Sequence, residues 1–84
     1  MSSFTVYGRP GCGFCYHAVR ALQSIEAEFE YIDIYQAGLS KAEVSELIKQ
    51  PVHTMPQIMH GDTYVGGCTE LLEYLQAGHG SQTE

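Results

Sequence analysis

Two cysteines, Cys12 and Cys15, bracket Gly13 and Phe14. A C-x-x-C pair is suited to reversible thiol–disulfide exchange. Its place in the chain strengthens that reading. The apolar run Phe4-Thr5-Val6-Tyr7 precedes it and a stretch with helical periodicity follows it, so the pair falls at a strand-to-helix junction. A helix N-terminus carries partial positive charge and unpaired N–H groups. Both stabilise a thiolate, the form that attacks a disulfide. Cys12 comes first and lies nearer the exposed helix end, which makes it the expected nucleophile. Cys15, one turn further in, is the expected resolving thiol.

The charge pattern agrees. The 84-residue chain carries ten acids against four bases, a net charge of −6, yet no Asp or Glu occurs before Glu26. Arg9 and Arg20 both lie in that acid-free segment. A carboxylate beside the thiol would raise its pKa, and none is there. The acidic total argues against nucleic-acid binding, which needs a basic face. No apolar run approaches the roughly 20 residues that span a membrane. The first residues show neither a basic segment nor an apolar core of a signal peptide. Three cysteines do not form the even set of a stapled secreted scaffold. The expected setting is a reducing cytoplasm.

Metal-site readings of the pair fare worse. A structural zinc needs four ligands, and the conceivable partners Cys68, His53 and His60 form no second paired motif. Haem attachment needs C-x-x-C-H, and Tyr16 follows Cys15 here.

The elements that must position the cysteines follow from the rest of the pattern. Residues 4–7 read as a strand, and Gly8-Arg9-Pro10-Gly11 as a turn. Ala18, Val19, Leu22 and Ile25 mark one face of a helix that closes over 26–28. Residues 29–34 read as a second strand and 36–38 as a loop. Ser40-Lys41-Ala42-Glu43 is a capping box that opens a helix with Val44, Leu47 and Ile48 on its apolar face. Pro51 ends that stretch. Residues 57–59 and 63–65, around His60-Gly61-Asp62, form a hairpin. Gly66-Gly67 breaks it, and a last helix runs from about Thr69 to Gln76, burying Leu71, Leu72 and Leu75. The polar tail 78–84 is expected to be frayed, leaving one domain over 1–77. The order is β-α-β-α-β-β-α. The first two strands must be parallel, joined by a right-handed crossover. The expected fold is α/β, a four-stranded mixed sheet with three flanking helices.

Three motifs in this order resemble glutaredoxin, within the thioredoxin-like fold. They are Gly11-Cys12-Gly13-Phe14-Cys15, Thr54-Met55-Pro56-Gln57-Ile58 and Gly66-Gly67-Cys68-Thr69-Glu70. The small dithiol bacterial type is the nearest pattern. The resemblance implies a glutathione-dependent thiol–disulfide oxidoreductase that uses Cys12 and Cys15. It implies a cis peptide before Pro56, which aims the Met55 backbone at a substrate. Gly67 would admit the ligand closely, and the amides of Cys68 and Thr69 would take the γ-glutamyl carboxylate of glutathione. Thr54 and Phe14 complete the expected site. Arg9 is the candidate for the glycine carboxylate, and Lys41, Lys49 or Gln50 for a further contact from the second helix. Thr69 can equally be a plain N-cap. Cys68 can equally be an ordinary core cysteine.

The chain also departs from the family pattern. Glu70 stands where the family usually places Asp against the glutathione ammonium, Phe14 replaces the more usual Tyr, and Gly13 replaces the Pro of many redox-active members. Motifs with Gly include members that hold a 2Fe-2S iron–sulfur cluster between two subunits through the first cysteine and glutathione. Cluster binding through Cys12 is therefore the alternative. The partners implied are glutathione and disulfide-bearing or glutathionylated proteins, ribonucleotide reductase among them, with a monomeric chain unless a cluster is bound.

Overall fold

The computed structural model describes residues 3–78. Its elements are β1 (Phe4–Gly8), α1 (Gly13–Ser24), β2 (Phe29–Asp33), α2 (Ile34–Ala37), α3 (Lys41–Ile48), β3 (Gln57–His60), β4 (Thr63–Gly66) and α4 (Cys68–Gln76). The strands form one sheet in the order β2-β1-β3-β4. β1 runs parallel to β2, pairing Phe4 with Phe29 and Gly8 with Asp33. β3 runs antiparallel to β1 and β4 antiparallel to β3. This is the mixed four-stranded sheet of a thioredoxin-like fold.

Strand alternation sorts the core onto the two faces of the sheet. On one face Phe4, Val6 and Ile58 pack with Ala18 and Leu22 of α1 and with Cys68 and Leu71 of α4. On the other, Tyr7, Met59 and Tyr64 pack with Ile34, Val44, Ile48 and Met55. Cys15, in the first turn of α1, belongs to this second cluster. The resolving cysteine is thus anchored in the core, while Cys12 before it is only half-buried.

Three local details differ from the sequence expectation. The segment read as strand end and loop holds one helical turn, α2. The Asp33 side chain accepts from the Tyr35 and Gln36 amides and caps that turn, which Gly38 ends at φ 71. Helix α1 stops at Ser24, leaving Ile25 as its C-cap rather than on its apolar face. Glu26 takes the left-handed conformation, its amide bonds to the Gln23 carbonyl and that of Ala27 to the Leu22 carbonyl. That is a Schellman closure made without glycine. Finally, Leu47 and Leu72, expected inside, are 56% and 45% exposed.

Gly78 closes against the Leu75 carbonyl. The remainder of the tail expected to fray lies outside the described residues.

Candidate active site

Five pieces of chain meet where the C-terminal end of β1 runs into α1. They are the turn after β1, the first turn of α1, the start of α3, the loop before β3 and the start of α4. Cys12 is the N-cap of α1, with extended backbone and its sulfur in the capping position. The Cys15 amide donates to Cys12 Sγ at 3.1 Å. The two cysteines form a disulfide, with Cα atoms 5.2 Å apart. The Cys12 sulfur therefore sits at the N-terminus of α1 on a first-turn amide, where negative charge is favoured once the bond is reduced.

The loop before β3 crosses directly over this sulfur. The Met55–Pro56 peptide is cis, as the resemblance implies. The Met55 carbonyl oxygen lies 3.7 Å from Cys12 Sγ, a position where the reduced thiol can donate to it. The loop is held from behind by Gln57, the buried polar side chain among the described residues. Its amide nitrogen donates to the Thr54 carbonyl at 2.9 Å, and its amide oxygen accepts from the Tyr64 hydroxyl at 2.7 Å. Both ends of a buried amide are thereby satisfied. Sequence reading missed Gln57 because a glutamine beside a proline carries no pattern of its own.

Beside the disulfide lies a cleft of about 410 Å³. Arg9 and Phe14 line it from the β1–α1 side, and Thr54, Met55 and Pro56 from the loop. Gly67, Cys68, Thr69 and Glu70 line it from the start of α4. All nine residues that the resemblance named for glutathione thus face one cavity. Of the three candidates in and just after α3, Lys41 lines the cleft, while Lys49 and Gln50 do not. His53 lines it too, and the Lys41 Nζ donates to the His53 carbonyl at 3.1 Å. In the sequence His53 stands out only as a conceivable metal ligand. A second recess, about 380 Å³, continues from the cleft past His53, Thr54, Gly67 and Glu70 to Gln57 and Tyr64.

The α4 end of the cleft resolves two alternatives. Gly67, not Thr69, is the N-cap, and the helix begins at Cys68. The first intrahelical bond runs from the Leu71 amide to the Gly67 carbonyl. The amides of Cys68, Thr69 and Glu70 therefore have no partner within the helix. Glu70 turns back, and its Oε1 accepts from the Gly67 amide at 3.0 Å. The carboxylate caps its own helix while facing the cleft. Gly66 makes room for this at φ 123; a Cβ there would lie 2.8 Å from the Glu70 Cβ. Cys68 is a buried core residue, and burial followed by the Glu70 charge pushes its thiol pKa up. The same causes, in the same order, raise Tyr64.

Among the described residues no group of three or more His, Cys, Asp or Glu side chains is arranged to hold a metal ion. The cluster alternative draws one thiolate, Cys12, from this chain, and that sulfur is joined here to Cys15. No helix among the described residues is long and apolar enough to cross a membrane.

A C-x-x-C disulfide capping the first helix, opposite a cis-proline loop, on a mixed four-stranded sheet defines a thiol–disulfide oxidoreductase of the thioredoxin-like class. Within that class the comparison with known proteins is specific. The glutaredoxin family model matches residues 4–65. The chain belongs to the glutaredoxin family. It is 34% identical over 80 residues to a glutaredoxin of Vibrio cholerae, covering 89% of this chain and 92% of that protein. Its fold is similar to that of reduced Escherichia coli glutaredoxin, with a TM-score of 0.81 at 24% identity, over 92% of this chain and 96% of the other. A buckwheat glutaredoxin–glutathione complex superposes with a TM-score of 0.74 at 22% identity, over 92% of this chain and 71% of that one.

Proposed function

We propose that this chain is a glutathione-dependent oxidoreductase that reduces protein disulfides and glutathione mixed disulfides. One observation carries the reading: the cleft lined by Arg9, Phe14, Lys41, the Thr54–Pro56 loop and the start of α4 opens beside the Cys12 sulfur. Its chemistry suits a tripeptide with a carboxylate at each end. The unpaired amides of Cys68 and Thr69 suit the γ-glutamyl carboxylate. Glu70 suits the adjacent ammonium. Arg9 and Lys41 suit the glycine carboxylate. The backbone of Met55 suits the cysteinyl peptide, and Phe14 covers it. The buckwheat glutaredoxin of similar fold is known in complex with glutathione.

The reaction follows from the position of the two sulfurs. Cys12 thiolate attacks one sulfur of the substrate disulfide. That S–S bond breaks, the other sulfur leaves as a thiolate, and Cys12 is held in a mixed disulfide. When the substrate is a protein disulfide, Cys15 attacks the Cys12 sulfur and releases the second substrate thiol. Two electrons have passed to the substrate, and Cys12–Cys15 is the oxidised product. Two glutathiones then reduce that bond and leave as glutathione disulfide. When the substrate is a glutathionylated protein, Cys12 takes the glutathione, and a second glutathione regenerates it without Cys15. We place the activity in the domain 1–77, in a monomer in the cytoplasm. The substrates are disulfide-bearing or glutathionylated proteins, and ribonucleotide reductase fits that chemistry.

The Cys15→Ser variant tests the assignment. It should trap one glutathione on Cys12, located by peptide mass spectrometry, and keep its activity on glutathionylated substrates. Glutathione found on Cys68 alone would refute it.

A further inference from the structure

A separate concavity, about 790 Å³, is lined by Cys12 itself and shares only Arg9 with the cleft proposed for glutathione. One wall is α1, through Tyr16, Val19 and Gln23. The other is β2, the edge strand of the sheet, through Phe29 and Tyr31. Cys12 and the turn before it close one end. Apart from Cys12 and Arg9, the proposed reaction with glutathione uses none of the residues that line this groove. Yet Tyr16 and Tyr31, on its two walls, are 61% and 40% exposed.

We propose that this groove seats an extended, apolar segment of a disulfide-bearing protein substrate, running from the substrate cysteine at Cys12 along α1. Connectivity argues for this occupant. In the dithiol route the substrate polypeptide is covalently joined to Cys12 until Cys15 displaces it, so its chain must leave along a surface that borders that sulfur. The chemistry is the dithiol exchange. The Cys12–substrate S–S bond forms as the substrate disulfide breaks, and it breaks as Cys12–Cys15 forms, with glutathione as the final two-electron reductant.

Length agrees. From Cys12 to Gln23 the groove follows about 16 Å of helix at the usual rise, room for about five extended residues. So does chemistry. In a chain with ten acids the lining holds none, and its one charged side chain is Arg9. A charged segment would lose solvation against Val19, Phe29 and the two tyrosines, whereas an apolar one gains by burial. Among the described residues no strand lies outside β2 in the sheet, so its outer backbone groups are positioned to pair with an extended segment. The inference rests on Cys12 as the attacking thiol and is independent of how glutathione is held.

Two synthetic peptides test it. Each carries a disulfide-closed cysteine pair followed by five residues, Leu, Val and Phe in one and Ser, Gly and Asn in the other. The full chain should reduce the apolar peptide with a kcat/KM about tenfold higher, the order expected from burying one or two side chains. In Val19→Gln that preference should fall to about twofold. Turnover of the small mixed disulfide of glutathione and 2-mercaptoethanol should be unchanged. Tyr16→Gln, at an exposed helix position, gives the same comparison should Val19→Gln fail to fold.

A preference that survives both variants overturns the proposal, as does an equal loss on the small substrate. A dimer of the wild-type chain in sedimentation that Val19→Gln dissociates also overturns it, because the groove then belongs to a second copy. If glutathione fails to support turnover of any substrate, the glutathione reading is what has failed. The peptide comparison then runs with dithiothreitol as reductant and decides the groove by itself.

Discussion

The Cys15 amide donates to Cys12 Sγ at 3.1 Å, so a sulfur occupies the place where a Ser, Thr or Asp oxygen usually caps a helix. In the oxidised chain this is a modest contact. After reduction the same amide, with the orphan donors beside it, faces a group that can ionise. The cap then becomes a device for holding a thiolate, and the turn and helix that carry it contain no acid to oppose it. Cys15 has no such surroundings, being 1% exposed among apolar side chains.

The first prediction follows from that asymmetry. In the reduced protein Cys12 should be alkylated by iodoacetamide well ahead of Cys15 and Cys68. The pH midpoint of its reaction should lie below that of a free cysteine. Peptide mass spectrometry after timed quenching identifies the site. A midpoint at or above the free-cysteine value would show that the helix end does not stabilise the thiolate.

Glu70 has a double position, on the Gly67 amide and on the cleft, and two substitutions separate its roles. Glu70→Gln keeps an oxygen that can accept from Gly67 and removes the charge. It should cost about 0.3–1 kcal/mol in chemical denaturation through the helix dipole. Glu70→Ala also loses the hydrogen bond and should cost about 0.5–1.5 kcal/mol more. If the carboxylate meets the ligand ammonium, both variants raise the KM for glutathione by a similar factor. A rise confined to Glu70→Ala would mean that only the cap matters.

Gln57 ties the Thr54 carbonyl to the Tyr64 hydroxyl. Gln57→Leu leaves both partners without it and should cost about 1–3 kcal/mol, against about 0.5–1.5 for Tyr64→Phe. The double variant should cost less than the sum, because the two remove one network. The loop that Gln57 secures carries Met55, so the KM for glutathione should rise in Gln57→Leu. Unchanged kinetics with lowered stability would show that Gln57 supports the fold without positioning the site.

What the sequence made legible, and what it did not, has physical causes. Strands and long helices are written in periodicity, and the motifs sit at their junctions, so the meeting of Cys12, Pro56 and Gly67 could be anticipated. Which leucines turn inward was harder. At about 100° per residue, Leu75 lies close to the direction of Leu71, whereas Leu72 is turned well away. Leu71 is accordingly buried and Leu72 exposed. Val44 and Ile48 likewise share the inward face of α3, and Leu47 falls on its rim. The helical turn α2 is too short for any period; its only signal is the Asp33 cap. Lys41 could not be chosen over Lys49 and Gln50, because that depends on how α3 is rotated against the loop. That rotation is set by Val44 and Ile48 in the core, and Lys41 Nζ reaches across to the His53 carbonyl of the loop.

Stability at alkaline pH supplies the last prediction. In the oxidised protein Cys12 and Cys15 are in the disulfide, and Cys68 is the free thiol. Burial, then the Glu70 charge, raises its pKa above the ordinary 9.0. Tyr7 is raised above 10.0 by burial and then Glu30, and Tyr64 by burial and then Glu70. For each group the folded chain keeps a proton that the unfolded chain has already lost. Stability is therefore full below the ordinary value and falls as pH rises from it toward the folded pKa. Denaturation midpoints should be level to about pH 8 and then decline, first through Cys68 and then through the tyrosines. Cys68→Ser should remove the first part of that decline and keep the second. If the variant declines from the same pH with the same slope as the parent, Cys68 is not the group responsible. Its thiol would then have to be less buried than its place among Phe4, Leu22 and Leu71 makes it.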